Sequence, residues 1–147
     1  MEMLPWEIAD TAHALRRSYD RRAGALGVTR AQWRVLAWVN REPGLRQVEL
    51  ADKLDIEPIT LCRIIDRLEE SGLVTRERDP TDRRAWQLHL TSRADPVLEG
   101  LRAIAEELAA EAFAGFEAGE AERMRQTLRH IRDNLASAAD ARKPVSA

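Results

Sequence analysis

The chain has 147 residues, of which 44% are hydrophobic and 33% charged, and its formal net charge is −2. This composition is typical of a folded, helix-rich protein with room for one core, and it excludes extensive disorder. We expect a cytoplasmic protein, because the first residues lack the features of a secretion signal, no window approaches the roughly 18 apolar residues of a membrane span, and the single cysteine suits a reducing compartment.

Charge is unevenly distributed along the chain. Residues 1–93 contain 16 Arg or Lys and 15 Asp or Glu, a net charge of +1, whereas residues 94–140 contain 5 and 10, a net charge of −5. An arginine-bearing region beside an acidic one suits a protein that presents one face to an anion. Solvated charged surfaces are the alternative explanation.

The first predicted helix covers residues 6–26, where less polar residues recur at intervals of three and four. These residues are Ile8, Ala12, Leu15, Tyr19, Ala23 and Leu26. A second helix is predicted after Thr29, because Thr29 and Gln32 have the spacing of a capping box directly before an apolar run. It is expected to end near Pro43 and Gly44.

Two further helices, at residues 46–54 and 57–71, are separated by a tight connection, and Gly72 is placed to end the second in a left-handed cap. A short helix, a turn and a longer helix form the helix-turn-helix pattern. Opposite the apolar face of the longer helix lie the side chains of Thr60, Arg63 and Arg67.

Residues 73–90 change to the alternating pattern of a β-hairpin with a turn-rich centre at residues 79–82. A two-stranded hairpin is not stable alone. The apolar residues Trp86, Leu88 and Leu90 are therefore expected to pack on the preceding helices, which makes the hairpin a wing. The predicted fold is mainly α with this small β-hairpin, a winged helix-turn-helix between additional terminal helices.

Two helical patterns follow the hairpin. The first begins near Thr91 and carries an apolar stripe at Val97, Leu101, Ile104, Leu108 and Ala112. In the last helix the apolar residues alternate in spacing between three and four, which is typical of a helix that packs lengthwise on another helix. That stripe consists of Ala121, Met124, Leu128, Ile131, Leu135 and Ala138.

The first and the last two helices carry more apolar surface than a small winged domain can cover. Burial against the same helices of a second copy is the economical interpretation, and an intrachain bundle is the alternative. We therefore predict one domain at 1–140, with dimerisation helices at 1–28 and 94–140, a winged helix-turn-helix at 29–93 and a flexible tail at 141–147. The predicted dimerisation residues are Ile8, Leu15, Met124, Leu128, Ile131 and Leu135.

The longer helix of the helix-turn-helix is the predicted DNA-reading element. A helix in the major groove needs outward side chains near its start, because that groove distinguishes all four base pairs. Arg63 could bind a guanine with two hydrogen bonds, Thr60 a base edge or phosphate, and Ile59 a thymine methyl group. A surface ion pair of Arg63 with Asp66 or Glu70 is the alternative.

Arg83 and Arg84 lie at the predicted tip of the wing, where a guanidinium can enter a narrow minor groove. Asp82 is expected to fix their approach through an ion pair. The alternative is that these arginines are only solvated. The predicted set of DNA contacts is completed by Arg46, Gln47 and Arg67.

Several segments together resemble the MarR family of bacterial regulators. They are Leu50-Ala-Asp-Lys-Leu-Asp-Ile56, the run from Arg63 to Arg76, Asp79-Pro-Thr-Asp-Arg-Arg-Ala85 and Leu90-Thr91. Residues 29–33 and 90–98 look most similar to the SlyA branch. The Asp-x-Arg of the family's wing falls on Asp82 and Arg84, whereas Glu57-Pro-Ile-Thr60 departs from a serine-rich helix start, which puts the operator sequence in doubt.

The resemblance implies a two-fold homodimer that places two recognition helices in successive major grooves of a palindromic operator. Members are usually repressors, and a small anionic phenolic or aromatic carboxylate ligand shifts the dimer toward a form that does not fit DNA. Arg16, Tyr19 and Trp33 are the candidates for this ligand pocket. The alternatives are core packing for Trp33 and solvation for Arg16.

Some members sense oxidants through a cysteine in the first helix. This chain has none there, and Cys62 lies in the recognition helix instead, where a half-buried small residue and a reactive thiolate are the alternatives.

No metal or cofactor is expected, because His13, His89 and His130 are scattered without metal-ligand spacing. No enzyme is expected either, since neither a nucleophile triad nor a phosphate-binding glycine loop can be placed. Two other functions stay open: an activator or anti-silencer without a dedicated ligand, and a winged-helix module that binds another protein.

Overall fold

Six α-helices and one β-hairpin make up residues 3–117 and 119–141, the part of the chain that the computed structural model describes. The helices are α1 (Leu4–Ala23), α2 (Arg30–Arg41), α3 (Gln47–Leu54), α4 (Pro58–Glu70), α5 (Asp95–Ala112) and α6 (Glu120–Ala141). The strands are β1 (Val74–Arg78) and β2 (Trp86–Leu90), and short 3-10 turns lie at Gly24–Leu26 and Ser92–Ala94.

This mainly helical fold with an antiparallel two-stranded hairpin confirms the predicted class. The chain divides into two units, Met1–Ala109 and Ala110–Ala147. Of the predicted tail at 141–147, all but residue 141 lies outside the described residues. No helix within the described ranges has the length and apolarity that crossing a membrane requires.

The helix ends follow local sequence signals. At the start of α2 the Thr29 hydroxyl oxygen accepts from the Gln32 backbone N–H at 3.2 Å, and the Gln32 side-chain oxygen accepts from the Thr29 N–H at 2.9 Å. These are the two reciprocal bonds of a capping box. Pro58 occupies the first turn of α4, and Gly72 follows that helix with φ of +72°. A residue with a Cβ is strained at this positive φ, so glycine suits the position.

Helices α2, α3 and α4 surround the core of the first unit. Leu36, Leu50, Leu61 and Ile65 have no solvent-accessible surface, and Leu88 of the hairpin joins them. The chain before α3 also pairs with β2, because the Leu88 N–H donates to the Leu45 carbonyl at 3.0 Å. The wing is thus joined to the helix-turn-helix through backbone as well as side chains.

The prediction that Trp86 packs on the helices is wrong, although Leu88 and Leu90 are buried and half-buried. Trp86 is 36% exposed, and the Arg78 guanidinium lies 4.0 Å from the centre of its ring. The reason is the register: Trp86 pairs with Arg78 at the end of the hairpin next to its turn. The core does not reach that end, and a cation covers the ring instead.

Apolar side chains are half-buried or exposed on the terminal helices of the chain. In the first unit, Ile8 and Leu15 of α1 are half-buried, while Leu4 and Trp6 are exposed. In the second unit, Leu128 and Ile131 of α6 are half-buried. The exposed apolar residues of that second unit include Phe113, Phe116, Met124 and Leu135.

Candidate DNA-binding interface

Helix α4 separates an apolar face from an outward polar face. Leu61, Ile65 and Leu68 are buried in the core. Ile59 is 64% exposed, which places a branched apolar side chain in solvent at the first turn of the helix. The other predicted DNA contacts of α4, all of them exposed, are Thr60, Arg63 and Arg67.

The guanidinium of Arg63 makes no ion pair within the described part of the chain. Asp66, one of its predicted alternative partners, instead accepts from Arg76 at 2.6 Å. Glu70, the other, is exposed at the end of α4 and forms no ion pair with Arg63. The planar donor group of Arg63 therefore remains available to an external acceptor.

The turn of the wing exposes Asp82, Arg83 and Arg84. The predicted ion pair of Asp82 with these arginines is wrong, because the Asp82 carboxylate accepts from the backbone N–H of Arg84 at 3.0 Å. An aspartate in a tight turn reaches the N–H two residues ahead more easily than it reaches a long side chain. Within the described ranges, both guanidinium groups are left without an acidic partner.

Arg46 is oriented toward the wing. Its Nε donates to Asp79 at 2.7 Å and its Nη2 to the Thr81 hydroxyl at 3.1 Å. The hydrogen bond to Asp79 and the attraction of its negative charge raise the pKa of Arg46 above its ordinary value. Predicted as a DNA contact, Arg46 also joins the start of α3 to the wing.

Gln47 is likewise engaged inside the protein. Its side-chain oxygen accepts from Arg76 Nε at 3.1 Å, and its amide nitrogen lies 2.8 Å from the Cys62 sulfur, to which it donates. Gln47 therefore connects α3, α4 and β1. Cys62 is half-buried at this junction.

Arg76, which the sequence analysis did not single out, holds the recognition helix against the hairpin. Its side chain is only 17% exposed, and it forms ion pairs with Asp66 and Glu69 and donates to the Cys62 carbonyl. In the hairpin register Arg76 pairs with the buried Leu88. Alternation along β1 places Arg76 on the face of the strand that points toward the core, and this position could have predicted its internal role.

Asp79 is a second residue whose role was not predicted from the sequence. Among the described residues it is the charged one that is buried, with 3% of its surface exposed. Donation from Arg46 and Thr81 holds the pKa of Asp79 far below its usual range. The sequence Asp79-Pro-Thr-Asp82 contained the signal, because aspartate at the start of a turn accepts from the N–H groups that follow. The turn was predicted, but the role of the Asp79 carboxylate as its hydrogen-bond acceptor was not.

A groove of about 300 Å³ lies between the wing and the starts of α3 and α4. Its lining includes Val48, Pro58, Trp86 and Arg84. The wing and the recognition helix thus enclose a partly apolar concavity with an arginine in its wall.

Tyr19 and Trp33, two of the predicted ligand residues, lie in contact with ring centres 4.5 Å apart. Both pack against the core, and their polar atoms have partners: Tyr19 donates to the Leu101 carbonyl and Trp33 to Asp20, each at 2.9 Å. Burial raises the pKa of Tyr19. Arg16, the third candidate, is exposed on α1.

The histidines are separated in the structure as in the sequence. His13 and His130 are exposed, and His89 lies 3.7 Å from Glu77 across the hairpin. Across residues 3–117 and 119–141, no three His, Cys, Asp or Glu side chains are grouped so that they could hold a metal ion.

A recognition helix with outward arginines, beside a hairpin that exposes two more, defines a winged helix-turn-helix DNA-binding protein. The family model described as MarR family matches residues 26–85, which run from the 3-10 turn after α1 to the turn of the wing.

Solved structures agree with this family match. A MarR transcriptional regulator from Methanosarcina mazei Go1 is 25% identical, with a TM-score of 0.83 over 94% of this chain and 99% of that chain. The transcriptional regulator PA3341 is 35% identical, with a TM-score of 0.81 over 91% and 98% of the two chains. A mutant MarR from E. coli, solved in complex with operator DNA, is 25% identical, with a TM-score of 0.73 over 87% and 92%.

The chain therefore belongs to the MarR family, as its motifs predicted. Members of this family are transcriptional regulators and not enzymes, and this protein is a DNA-binding transcriptional regulator.

Proposed function

We propose that this regulator is a cytoplasmic homodimeric repressor that binds a palindromic operator and is released from it by a small anionic aromatic ligand. The observation that carries the proposal is the common exposure of Arg63 on α4 and Arg84 on the wing, each without an acidic partner in the described chain. Arg46 joins the start of α3 to the wing, and Arg76 joins α4 to the hairpin. These internal contacts support the use of α4 and the wing as one binding surface.

Helix α4 is proposed to enter the major groove. Arg63 binds a guanine, Thr60 a base edge or a phosphate, and Ile59 a thymine methyl group, which accounts for an apolar side chain that is 64% exposed. Arg67 lies one turn beyond Arg63 and is proposed to contact the phosphate backbone.

The wing is proposed to reach the adjacent minor groove. Arg83 and Arg84 are its exposed cations, and the backbone of Arg84 is held by Asp82. A guanidinium fits the negative potential of a narrow minor groove, and a fixed backbone reduces the entropy lost on binding.

The dimer is proposed to form through the apolar side chains of the terminal helices. Ile8 and Leu15 of α1 contribute, together with Leu4 and Trp6, which are exposed at the start of the same helix. From α6 the proposed residues are Met124, Leu128, Ile131 and Leu135. A two-fold dimer requires an inverted repeat with half-sites about one helical turn apart. The operator complex of the E. coli relative supports a duplex target.

Selection of duplexes from a randomised pool tests this proposal. The full-length protein should enrich an inverted repeat whose half-site centres are about 10 bp, or a multiple of this, apart. Enrichment of single, unpaired half-sites would contradict the dimer. No enrichment, together with a partner captured through α4, would favour the protein-interaction module instead.

The ligand is proposed to act through Arg16, Tyr19 and Trp33. Two aromatic rings in tilted contact, with an arginine on the same helix as one of them, suit an aromatic carboxylate. Benzoate should therefore release the protein from its selected duplex, and Arg16→Gln should reduce this release. If no benzoate derivative changes DNA affinity, the activator or anti-silencer without a dedicated ligand is favoured.

The assignment to the SlyA branch likewise remains a proposal, which rests on residues 29–33 and 90–98.

A further inference from the structure

The carboxylate of Asp79 is saturated with hydrogen bonds although every residue from Pro80 to Arg84 is exposed. One oxygen, Oδ1, accepts from the backbone N–H and the hydroxyl of Thr81 at 2.8 and 2.7 Å, and from the Asp82 N–H at 3.0 Å. These three bonds fold the turn around the carboxylate. A buried carboxylate is tolerated when its acceptor sites are filled in this way.

The second oxygen, Oδ2, connects this turn to other elements. It accepts from Arg46 Nε at 2.7 Å and from the Gln87 amide at 3.1 Å. Arg46 also donates to the Thr81 hydroxyl at 3.1 Å, which closes a ring of Arg46, Asp79 and Thr81. Arg46 is the N-cap residue of α3. The ring therefore fixes the wing turn to the first helix of the helix-turn-helix.

A chain of hydrogen bonds leads from Asp79 to the backbone of Arg84. Asp79 holds the Asp82 N–H, and the Asp82 carboxylate holds the Arg84 N–H at 3.0 Å. The Ala85 carbonyl accepts from the Asp79 N–H at 3.1 Å and so closes the turn on its other side. The exposed guanidinium of Arg84 thus projects from a backbone segment whose conformation depends on the hydrogen bonds of Asp79.

We propose that Asp79 is a positioning residue for DNA binding: it fixes the wing turn to the start of α3, so that Arg84 and the recognition helix meet the duplex as one rigid unit. This inference rests on the proposed DNA contact of Arg84. Asp79 itself contacts no DNA and acts through Arg84.

An electrostatic role and a positioning role predict opposite changes in DNA affinity when this carboxylate is lost. Removing a negative charge from a DNA-facing hairpin should tighten binding if charge alone matters, since the phosphates are negative. Removing a positioning group should weaken binding, because the wing must then be ordered as it binds. Glu77 offers a matched control, because its carboxylate is on the same hairpin, is 64% exposed and lies outside the Asp79 network.

The test is a double-mutant cycle with the full-length protein on the duplex that the wild type selects. Fluorescence anisotropy gives the Kd of the wild type, Asp79→Asn, Arg84→Ala and the double variant. We expect Asp79→Asn to weaken binding roughly tenfold, and less than about twofold once Arg84 is absent, because residues that act through one another are not additive. Glu77→Gln should bind as tightly as the wild type or slightly more tightly.

An equal loss in both backgrounds, or no loss with Asp79→Asn, would overturn the inference. Should Asp79→Asn fail to fold, Thr81→Val takes its place, since it removes the hydroxyl shared by Asp79 and Arg46 and leaves the carboxylate. It should weaken binding several-fold, again only while Arg84 is present, and additivity with Arg84→Ala would again overturn the inference. A wild type that selects no duplex would contradict the proposed function itself, which separates the two failures.

Discussion

Arg63 and Arg76 are thirteen positions apart, and their surroundings give them different roles. The Arg76 side chain is 17% exposed and lies between two carboxylates, which compensate its charge. The Arg63 side chain is exposed and, among the described residues, meets no carboxylate. A guanidinium that is already paired stabilises the fold, whereas one with its donors free can bind guanine. We therefore propose that Arg63 recognises a base, whereas Arg76 braces the fold through its two ion pairs.

Loss of the Arg63 guanidinium should reduce both affinity and sequence preference. We expect Arg63→Ala to weaken operator binding by about 1–3 kcal/mol and to relax the preference at one base pair of each half-site, the cost of a lost bidentate contact. Selection and anisotropy with the variant measure both effects. Arg102→Ala, which removes an exposed arginine from α5, should change neither. An unchanged preference in Arg63→Ala would contradict the assigned contact.

The pKa of Asp79 implies a particular dependence of stability on pH. Its ordinary value of 3.8 is lowered in the folded state, first by the hydrogen bond from Arg46 and then by Thr81. A lowered pKa stabilises the fold above the unfolded value, and this stabilisation is lost as pH falls toward the folded value. The difference in free energy of unfolding between wild type and Asp79→Asn should therefore be constant near neutral pH and decrease below about pH 4.

Urea unfolding at a series of pH values measures this difference. A difference that grows as the solution becomes more acidic would show that the Asp79 carboxylate is not held in its ionised form by the folded state.

At the scale of the elements, the sequence predicted the helices well because their ends are local. The capping box of Thr29 and the glycine after α4 each act within a few residues. The exposure of Trp86 could not be predicted in this way, since alternation gives the face of a strand but not how far the core extends beneath it. The partners of Asp79 were missed for a related reason: Arg46 lies 33 positions away in the chain.

The capping box gives a direct test at this scale. Thr29→Ala should lower the free energy of unfolding by about 1 kcal/mol, because it leaves the Gln32 N–H without its acceptor. Thr11→Ala is the matched control, since Thr11 lies within α1, where alanine is the better helix former. Denaturant unfolding at one fixed protein concentration compares the two. A loss for Thr11→Ala as large as that for Thr29→Ala would contradict the special role of the cap.

In the folded chain, apolar side chains are exposed near both ends of the part that the structure describes. Leu4 and Trp6 are exposed on α1, and Leu135 on α6 is 67% exposed. Apolar area of this kind, when contiguous, marks an interaction site. We propose that a second copy of the chain buries these side chains and also supplies the second recognition helix that the proposed palindromic operator requires.

Leu135→Asp should therefore separate the proposed dimer into single chains that stay folded, because this side chain is already exposed in the single chain. Light scattering should show the mass fall from two chains to one, with the helical circular dichroism largely retained. Ser137→Asp adds the same charge two residues further along α6 and off the apolar stripe, so it should remain dimeric. If Leu135→Asp leaves the mass at two chains, Leu135 is not part of the dimer interface.

We propose that the arginines of α4 and the wing neutralise DNA phosphates and contact bases, and the decisive experiment is the salt dependence of operator binding. The logarithm of the association constant should fall steeply and linearly with the logarithm of salt concentration through counterion release, and Arg67→Ala, which removes a proposed phosphate contact, should reduce the slope by about one. A slope near zero for the wild type would show that these arginines do not neutralise DNA phosphates.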